Sequence, residues 1–228
     1  IKDYGRAIEI DPKQFDAYLH RGAIYCDVVH DYDRAIEDFN RVIQRNPRHA
    51  LAYQYRGNTR LRKGDLEGAI EDYDQSIACD PKQVNTYFNR GNVRRAKGNL
   101  QGAIADYSKA IAIDPRNVDA YSNRGLIRQA NGDMEGARED FNKAIELAPK
   151  QVEAYINRGG FYCDVLRDYD RAIADFTRVI GLSPNPKETI AYANRGVARM
   201  AKEDLQGAFE DFSKAIELNP RHGPAYSG

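Results

Sequence analysis

Apolar positions recur with a helical period along the whole chain. Between residues 100 and 111 the apolar side chains return at three- and four-residue spacing, at Leu100, Ala103, Ile104, Tyr107, Ala110 and Ile111. That spacing places them on one stripe of an α-helix. An apolar stripe of this kind is stable when it packs against another element. Because similar stripes occur before and after this one, the pattern predicts an all-α fold.

The stripes belong to a longer repeat. An Arg-Gly pair recurs six times at intervals of 35, 34, 34, 34 and 37 residues, with its arginine at Arg21, Arg56, Arg90, Arg124, Arg158 and Arg195. A Tyr stands four residues before each Gly, and an Ala, an aromatic residue and a Pro follow it at nearly constant distances. A fixed period of this length is typical of stacked supersecondary units.

Each unit reads as two helices. The predicted N-caps of the second helices are Asp31, Asp65, Asn99, Asp133, Asp168 and Asp204, whose side chains can accept from unpaired amides. The predicted ends of the second helices are Pro47, Pro81, Pro115, Pro149, Pro184 and Pro220. Gly64, Gly98 and Gly132 suit a left-handed C-cap after the first helix.

The combined pattern of aromatic, Gly, Ala, aromatic and Pro positions resembles the tetratricopeptide repeat. The resemblance implies a right-handed superhelical solenoid of antiparallel helix pairs that forms one domain over 1–228. Residues 1–12 are expected to be an orphan second helix and 222–228 the start of a further repeat or a tail. The six repeats are expected at about 15–48, 49–82, 83–116, 117–150, 151–186 and 187–221.

The arginine before each Gly departs from the family pattern. An Asp precedes the second-helix aromatic in every repeat, at Asp38, Asp72, Asp106, Asp140, Asp175 and Asp211. A guanidinium matches a carboxylate with two parallel hydrogen bonds, and a partly buried arginine needs such a partner. We therefore predict a ladder of Arg-Asp pairs that joins helices within a repeat or between neighbouring repeats.

In this family the first helices line a concave groove. By their positions in the repeats, a row of Asn side chains is therefore expected to face this groove. An Asn side chain both donates and accepts, so a row of them suits an extended peptide backbone. The row is similar to that in the O-GlcNAc transferase superhelix. The alternative is that these amides bond to neighbouring helices or to water. The predicted peptide-binding asparagines are Asn58, Asn89, Asn92, Asn123, Asn157 and Asn194.

Three further residues complete the predicted site. Arg62 and Arg95 are the basic side chains expected to face the groove, and Phe88 is an apolar contact beside the amides. The first helices of the second and third repeats are basic, which favours a protein or peptide ligand with an acidic segment.

A second, longer periodicity relates the first repeat to the fifth. Residues 25–43 match residues 162–180 at 15 of 19 positions. Both copies carry one extra residue near the turn and lack the turn Gly, so both first helices should end in a bulge. Block duplication explains the match, and a pair of matching docking sites is the alternative.

Composition excludes several classes of function. The 34 basic residues balance 34 acidic ones, so the net charge of zero argues against nucleic-acid or membrane-surface binding. No apolar run is long enough to span a bilayer, and the three cysteines are too few for a disulfide framework, so we expect a cytoplasmic protein. His, Cys and carboxylate residues show no catalytic or metal-binding spacing. The sequence therefore predicts no enzyme activity, no metal and no cofactor.

These features favour a non-catalytic scaffold for protein-protein interaction that binds an extended peptide or a partner helix in its groove. The chain begins at Ile1 without Met, so we expect a fragment or a processed product. The alternative function is the recognition arm of a larger enzyme, such as a glycosyltransferase, whose catalytic domain lies outside this fragment. Self-association through the ends of the array is a third hypothesis.

Overall fold

The computed structural model describes residues 1–182 and 186–219, apart from the side chains of Pro186 and Lys187. The predicted helix ends at Pro184 and Pro220 and the segment 222–228 lie outside these residues. The helices of the described ranges are α1 (Lys2–Ile10), α2 (Phe15–Ile24), α3 (Tyr32–Arg45), α4 (Ala50–Lys63), α5 (Leu66–Cys79), α6 (Val84–Ala96), α7 (Leu100–Ile113), α8 (Val118–Ala130), α9 (Met134–Leu147), α10 (Val152–Gly160), α11 (Tyr169–Leu182), α12 (Pro186–Ala201) and α13 (Leu205–Leu218).

The predicted all-α fold of helix pairs is confirmed. Even-numbered helices from α2 to α12 are the first helices of the pairs, and each is followed by its second helix. All six predicted caps accept a hydrogen bond from the backbone amide three residues further on, at 2.9 to 3.1 Å. The three predicted C-cap glycines have φ values of 77° to 88°, the left-handed conformation that ends the first helix.

The chain forms two compact units, residues 1–120 and 121–228. In the first unit each helix from α1 to α7 packs against the next, and the core is built on Phe39 and Tyr73. In the second unit α9 to α13 pack in the same sequential way, and Phe141 and Phe176 are fully buried. The repeat boundaries and the single domain remain predictions.

The predicted Arg-Asp ladder is confirmed in every repeat. The arginine before each Gly reaches the second-helix Asp at 2.6 to 2.7 Å. A second arginine four residues later reaches the same carboxylate at 2.9 to 3.1 Å in four repeats, through Arg60, Arg94, Arg128 and Arg199. The carboxylates are buried and the arginines partly buried, so these pairs fix each first helix against its second helix.

The same arginines also join neighbouring repeats. Arg56 donates to Asn40 at 2.5 Å and Arg158 donates to Asn142 at 2.7 Å, in each case on the second helix of the preceding repeat. Each guanidinium also lies 5.3 to 5.9 Å from the ring of the Tyr three residues before it. Cation-π contact of this kind adds to the ion pair. Arg56 and Arg158 therefore each join their own first helix to the second helix of the same repeat and to the second helix of the preceding repeat.

The two predicted bulges are π-helical turns. Tyr25–Val29 continues α2, and Phe161–Val165 continues α10. A π-turn accommodates one extra residue within a helix, which explains why both copies keep their helical path despite the insertion. The backbone then reverses through His30 and Arg167, which adopt φ values of 59° and 55° in place of the turn Gly.

Candidate peptide-binding site

Two of the predicted amides of the first unit, Asn58 and Asn89, are hydrogen-bonded to each other across two first helices. Asn89 on α6 donates through Nδ2 to Asn58 Oδ1 on α4 at 3.0 Å. The hydroxyl of Tyr73, a core residue of α5, donates to the same oxygen at 2.8 Å. The Asn58 oxygen therefore has two donors, and the orientation of both amide groups is fixed by the protein.

Asn92 is held in the same way one repeat further on. The Tyr107 hydroxyl donates to Asn92 Oδ1 at 2.6 Å, and the Phe88 ring lies 5.7 Å from the Tyr107 ring. Burial raises the pKa of Tyr107 to about 12, against an opposing effect from the nearby charge of Arg95. Arg95 itself is exposed on α6. Asn58, Asn89 and Asn92 thus accept from or donate to side chains of neighbouring helices, and their binding of a peptide stays a prediction.

Arg62 has an ion-pair partner in the preceding repeat. Its Nη1 lies 2.5 Å from Asp27 Oδ1 in the first π-turn, and also 3.4 Å from the Cys26 carbonyl oxygen. Both charged side chains are about half exposed. The pair lies at the edge of a cavity of about 160 Å³ that is lined by Ala23, Cys26, Asp27, Phe39, Tyr55, Asn58, Thr59 and Arg62.

The other predicted site residues belong to the second unit. Asn123 on α8 and Asn157 on α10 are half-buried. Asn194 on α12 is also half-buried and lines a second cavity, of about 30 Å³, together with Gly160, Cys163, Asp164, Phe176 and Val197. The structure thus connects Asn58 to Asn89 directly and places Asn194 at a separate cavity.

Cys163 is one of the residues that line the second cavity. Burial, reinforced by the neighbouring Asp164 carboxylate, raises the pKa of Cys163 to about 11. Because the thiolate is the reactive form, this thiol is expected to be inert near neutral pH.

We expect iodoacetamide to alkylate Cys163 at pH 8 at least about tenfold more slowly in the folded chain than in the unfolded chain. Site-resolved mass spectrometry of the labelled protein gives both rates, with the unfolded chain in guanidinium as the control. Equal rates in the two states would show that this cavity wall is open to reagents.

Sequence reasoning missed the partners of the predicted residues. Asp27 and the Tyr73 and Tyr107 hydroxyls determine how Arg62, Asn58 and Asn92 are oriented. A signal existed for the tyrosines, because Tyr stands fifteen residues after Asn58 and fifteen residues after Asn92. In the repeats whose second-helix aromatic is Phe, this hydroxyl is missing, so the amide network is a property of the second and third repeats.

Within residues 1–182 and 186–219, no three His, Cys, Asp or Glu side chains are grouped so that they could hold a metal ion. None of the helices over the same residues combines the length and the apolar character needed to cross a membrane.

Known proteins give the same picture of the fold. YrrB, described as a TPR protein with an unusual peptide-binding site, aligns with a TM-score of 0.69 over 84% of this chain and 97% of its own, at 26% identity. MamA aligns with a TM-score of 0.67 over 72% of this chain and 95% of its own, at 27% identity. The C-terminal part of a TPR repeat-containing protein from Cytophaga hutchinsonii has a TM-score of 0.79 over 98% of this chain and 93% of its own, at 20% identity, which shows the fold alone.

A curated relative matches a short part of the chain. Over 54 residues, 24% of this chain, the sequence is 46% identical to RNA polymerase II-associated protein 3 from Xenopus tropicalis, and the match spans 8% of that protein. Family models described as tetratricopeptide repeat or TPR repeat match residues 29–84, 72–105, 91–132, 118–151, 152–186 and 189–222. Repeats of this type indicate a scaffold for protein interaction. The chain belongs to the tetratricopeptide repeat family.

Proposed function

We propose that this chain is a non-catalytic scaffold that holds an extended peptide along the first helices of its repeats. The fold supports this proposal because stacked helix pairs present a continuous surface to a partner. YrrB, which shares the fold at 26% identity, is described as having a peptide-binding site. The general function, that of a protein-interaction scaffold, follows from membership of the tetratricopeptide repeat family.

The observation that carries the peptide proposal is the fixed orientation of Asn58 and Asn89. With the Asn58 oxygen engaged by two donors, its amide N–H groups are the part of the side chain available to a ligand. Asn89 uses one N–H in that network and keeps its own carbonyl oxygen as an acceptor. A donor and an acceptor held side by side match the N–H and C=O groups of an extended backbone.

The charge beside these amides favours an acidic segment in the ligand. Arg62 and Arg95 are exposed side chains on the same first helices as Asn58 and Asn89. Asp27 holds one nitrogen of Arg62, which fixes the guanidinium, and the fork of an arginine has further N–H groups to offer a carboxylate. Phe88 supplies apolar surface on α6 next to Asn89.

The proposal is tested by selecting peptides from a displayed random library on the whole chain and measuring their affinities by calorimetry. We expect Asn89→Ala to weaken a selected peptide by about fivefold, because it removes one backbone contact and releases Asn58. Thermal stability should change little. Gln101→Ala, which removes an exposed amide from the second helix α7, is the matched control and should leave the affinity unchanged.

Hydrogen exchange locates the bound peptide independently. Protection of the first helices α4 and α6 by the peptide supports the proposal. Selected peptides that protect only second helices, or that bind Asn89→Ala and the parent chain equally, would contradict it.

A further inference from the structure

We propose that the cavity at the second π-turn, Phe161–Val165, binds a primary ammonium group from a ligand, in the place that an arginine of the chain itself fills at the first π-turn. The group is the ε-ammonium of a lysine or the α-ammonium of a peptide N-terminus. The biological use of this pocket rests on the proposed function, because residues of the first helices α10 and α12 line it and the peptide is proposed to lie along first helices.

The two cavities are built from equivalent positions. Each lies between the end of one first helix, the following second helix and the next first helix. Four wall positions correspond one to one between the copies: Ala23 with Gly160, Cys26 with Cys163, Asp27 with Asp164, and Phe39 with Phe176. The π-turn that brings the cysteine and the carboxylate to the wall is present in both, and π-turns are often found at functional sites.

The cavities differ in charge. In the first copy Arg62 lies 2.5 Å from Asp27, so the chain neutralises its own carboxylate. Counted from the Arg-Gly pair, the residue equivalent to Arg62 is Ala201. Among the described residues, no ion pair includes Asp164, and the second cavity is lined by one acidic and no basic residue. The Asp164 side chain is exposed and accepts a hydrogen bond from the Cys163 thiol, which leaves its negative charge in place to attract a cation that the ligand supplies.

The polar surroundings also fit a group with several N–H donors. In the first copy Arg62 donates to the carbonyl oxygen of Cys26 as well as to Asp27. The equivalent acceptors in the second copy are the Cys163 carbonyl and Asp164, and the Asn194 amide lines the same wall. An ammonium has three donors and no acceptor, which suits a wall whose residues offer carbonyl, carboxylate and amide oxygens.

The size of the second cavity selects an ammonium over a guanidinium. Its volume of about 30 Å³ is much smaller than the 160 Å³ of the first cavity, and a compact ammonium group needs less space than a guanidinium. Gly160 contributes to this space, since a Cβ atom built there would lie 4.0 Å from Asp164 Oδ2.

Small probes test the pocket without a peptide. The ¹⁵N-labelled whole chain is titrated with Nα-acetyl-lysine N-methylamide, with glycinamide, and with the uncharged analogue Nα-acetyl-norleucine N-methylamide, while amide shifts are followed by NMR. We expect saturable shifts at residues 160–165 and 194–197 with an ammonium probe and none with norleucine. The stronger of the two ammonium probes identifies a lysine or an N-terminus as the source.

Three variants connect the shifts to the pocket. Asp164→Asn should weaken the ammonium probe about tenfold, since it removes the charged acceptor. Ala201→Arg should abolish binding, because it supplies the missing arginine. Glu139→Gln, an exposed carboxylate on the second helix α9, is the control and should change nothing.

The first π-turn provides the reciprocal test. Arg62→Ala should leave Asp27 without its ion-pair partner and create a second set of saturable shifts at residues 23–27, which are expected to be absent from the parent chain. Equal binding of norleucine, or unchanged binding in Asp164→Asn and Ala201→Arg, would overturn the proposal. The probes are not extended peptides, so their failure would leave the peptide proposal to be decided by its own experiment.

Discussion

Asp106→Ala should lower the free energy of unfolding of the third repeat by about 3 to 5 kcal/mol, the usual cost of breaking a buried ion pair. The Asp106 carboxylate is 2% exposed and accepts from both Arg90 and Arg94. Its removal leaves two partly buried guanidinium groups without their common acceptor. Burial alone would lower the pKa of Arg90, but Asp106 and Asp74 outweigh it and the pKa is raised.

The matched control is Asp74→Ala. Asp74 also pairs with Arg90, but it is about half exposed, and surface ion pairs contribute about 0 to 1 kcal/mol. Because repeat arrays do not always unfold in one step, native-state hydrogen exchange of the α6 and α7 amides is the appropriate measurement. Comparable decreases in the free energy of unfolding for the two variants would show that burial does not govern the strength of these ion pairs.

A double-mutant cycle separates the pair from its surroundings. Arg90→Ala and Asp106→Ala together should cost less than the sum of the single changes, with a coupling energy of at least about 1 kcal/mol. Additive effects would mean that Arg90 and Asp106 act independently and that the ladder is not a structural unit.

The Arg-Asp ladder shows why much of the fold was predictable from sequence. Arg90 and Asp106 lie sixteen residues apart in a chain that repeats the same two residues in every unit, so repetition reveals the contact. The helix caps are predictable for a local reason, since the Asp133 side chain and the Gly136 amide that it accepts from are three residues apart. Both kinds of contact occur within one helix pair.

Contacts between repeats were harder to predict because the residue type changes at the position that meets the arginine. Arg56 reaches Asn40, Arg158 reaches Asn142 and Arg195 reaches Thr177, so no single pattern in the sequence marks the contact. Any short polar side chain can accept from a guanidinium, which leaves the position free to vary.

The candidate site was predictable in position but not in orientation. The sequence places Asn58 and Arg62 on a first helix, whereas the direction of each side chain depends on residues elsewhere in the chain. The Tyr73 hydroxyl comes from the following helix and Asp27 from the preceding repeat. The effect of the extra residue near Tyr25 was equally ambiguous, because an insertion can lengthen a loop or form a π-turn. In the structure it forms a π-turn in which Cys26 is buried.

Gly91→Ala should destabilise the third repeat by about 1 to 3 kcal/mol, although Ala is the better helix former by about 1 kcal/mol. Gly91 on α6 faces Tyr107 and Asp106 on α7. A Cβ atom at this position would lie 2.9 Å from Tyr107 Cε1 and 3.3 Å from Asp106 Cβ. Tyr107 is fully buried and its hydroxyl is held by Asn92, so the ring cannot move aside without disturbing the site.

Gly160→Ala is the control that separates crowding from backbone propensity. This glycine is also helical, but its Cβ atom would meet no atom closer than 4.0 Å, so the substitution should stabilise the fifth repeat by about 0.5 to 1 kcal/mol. The same change therefore has opposite signs at two positions of one chain. Native-state hydrogen exchange of α6 and α10 measures both effects. Stabilisation by Gly91→Ala would show that the helix crossing tolerates a side chain, and the requirement for Gly before the second helix would then need another cause.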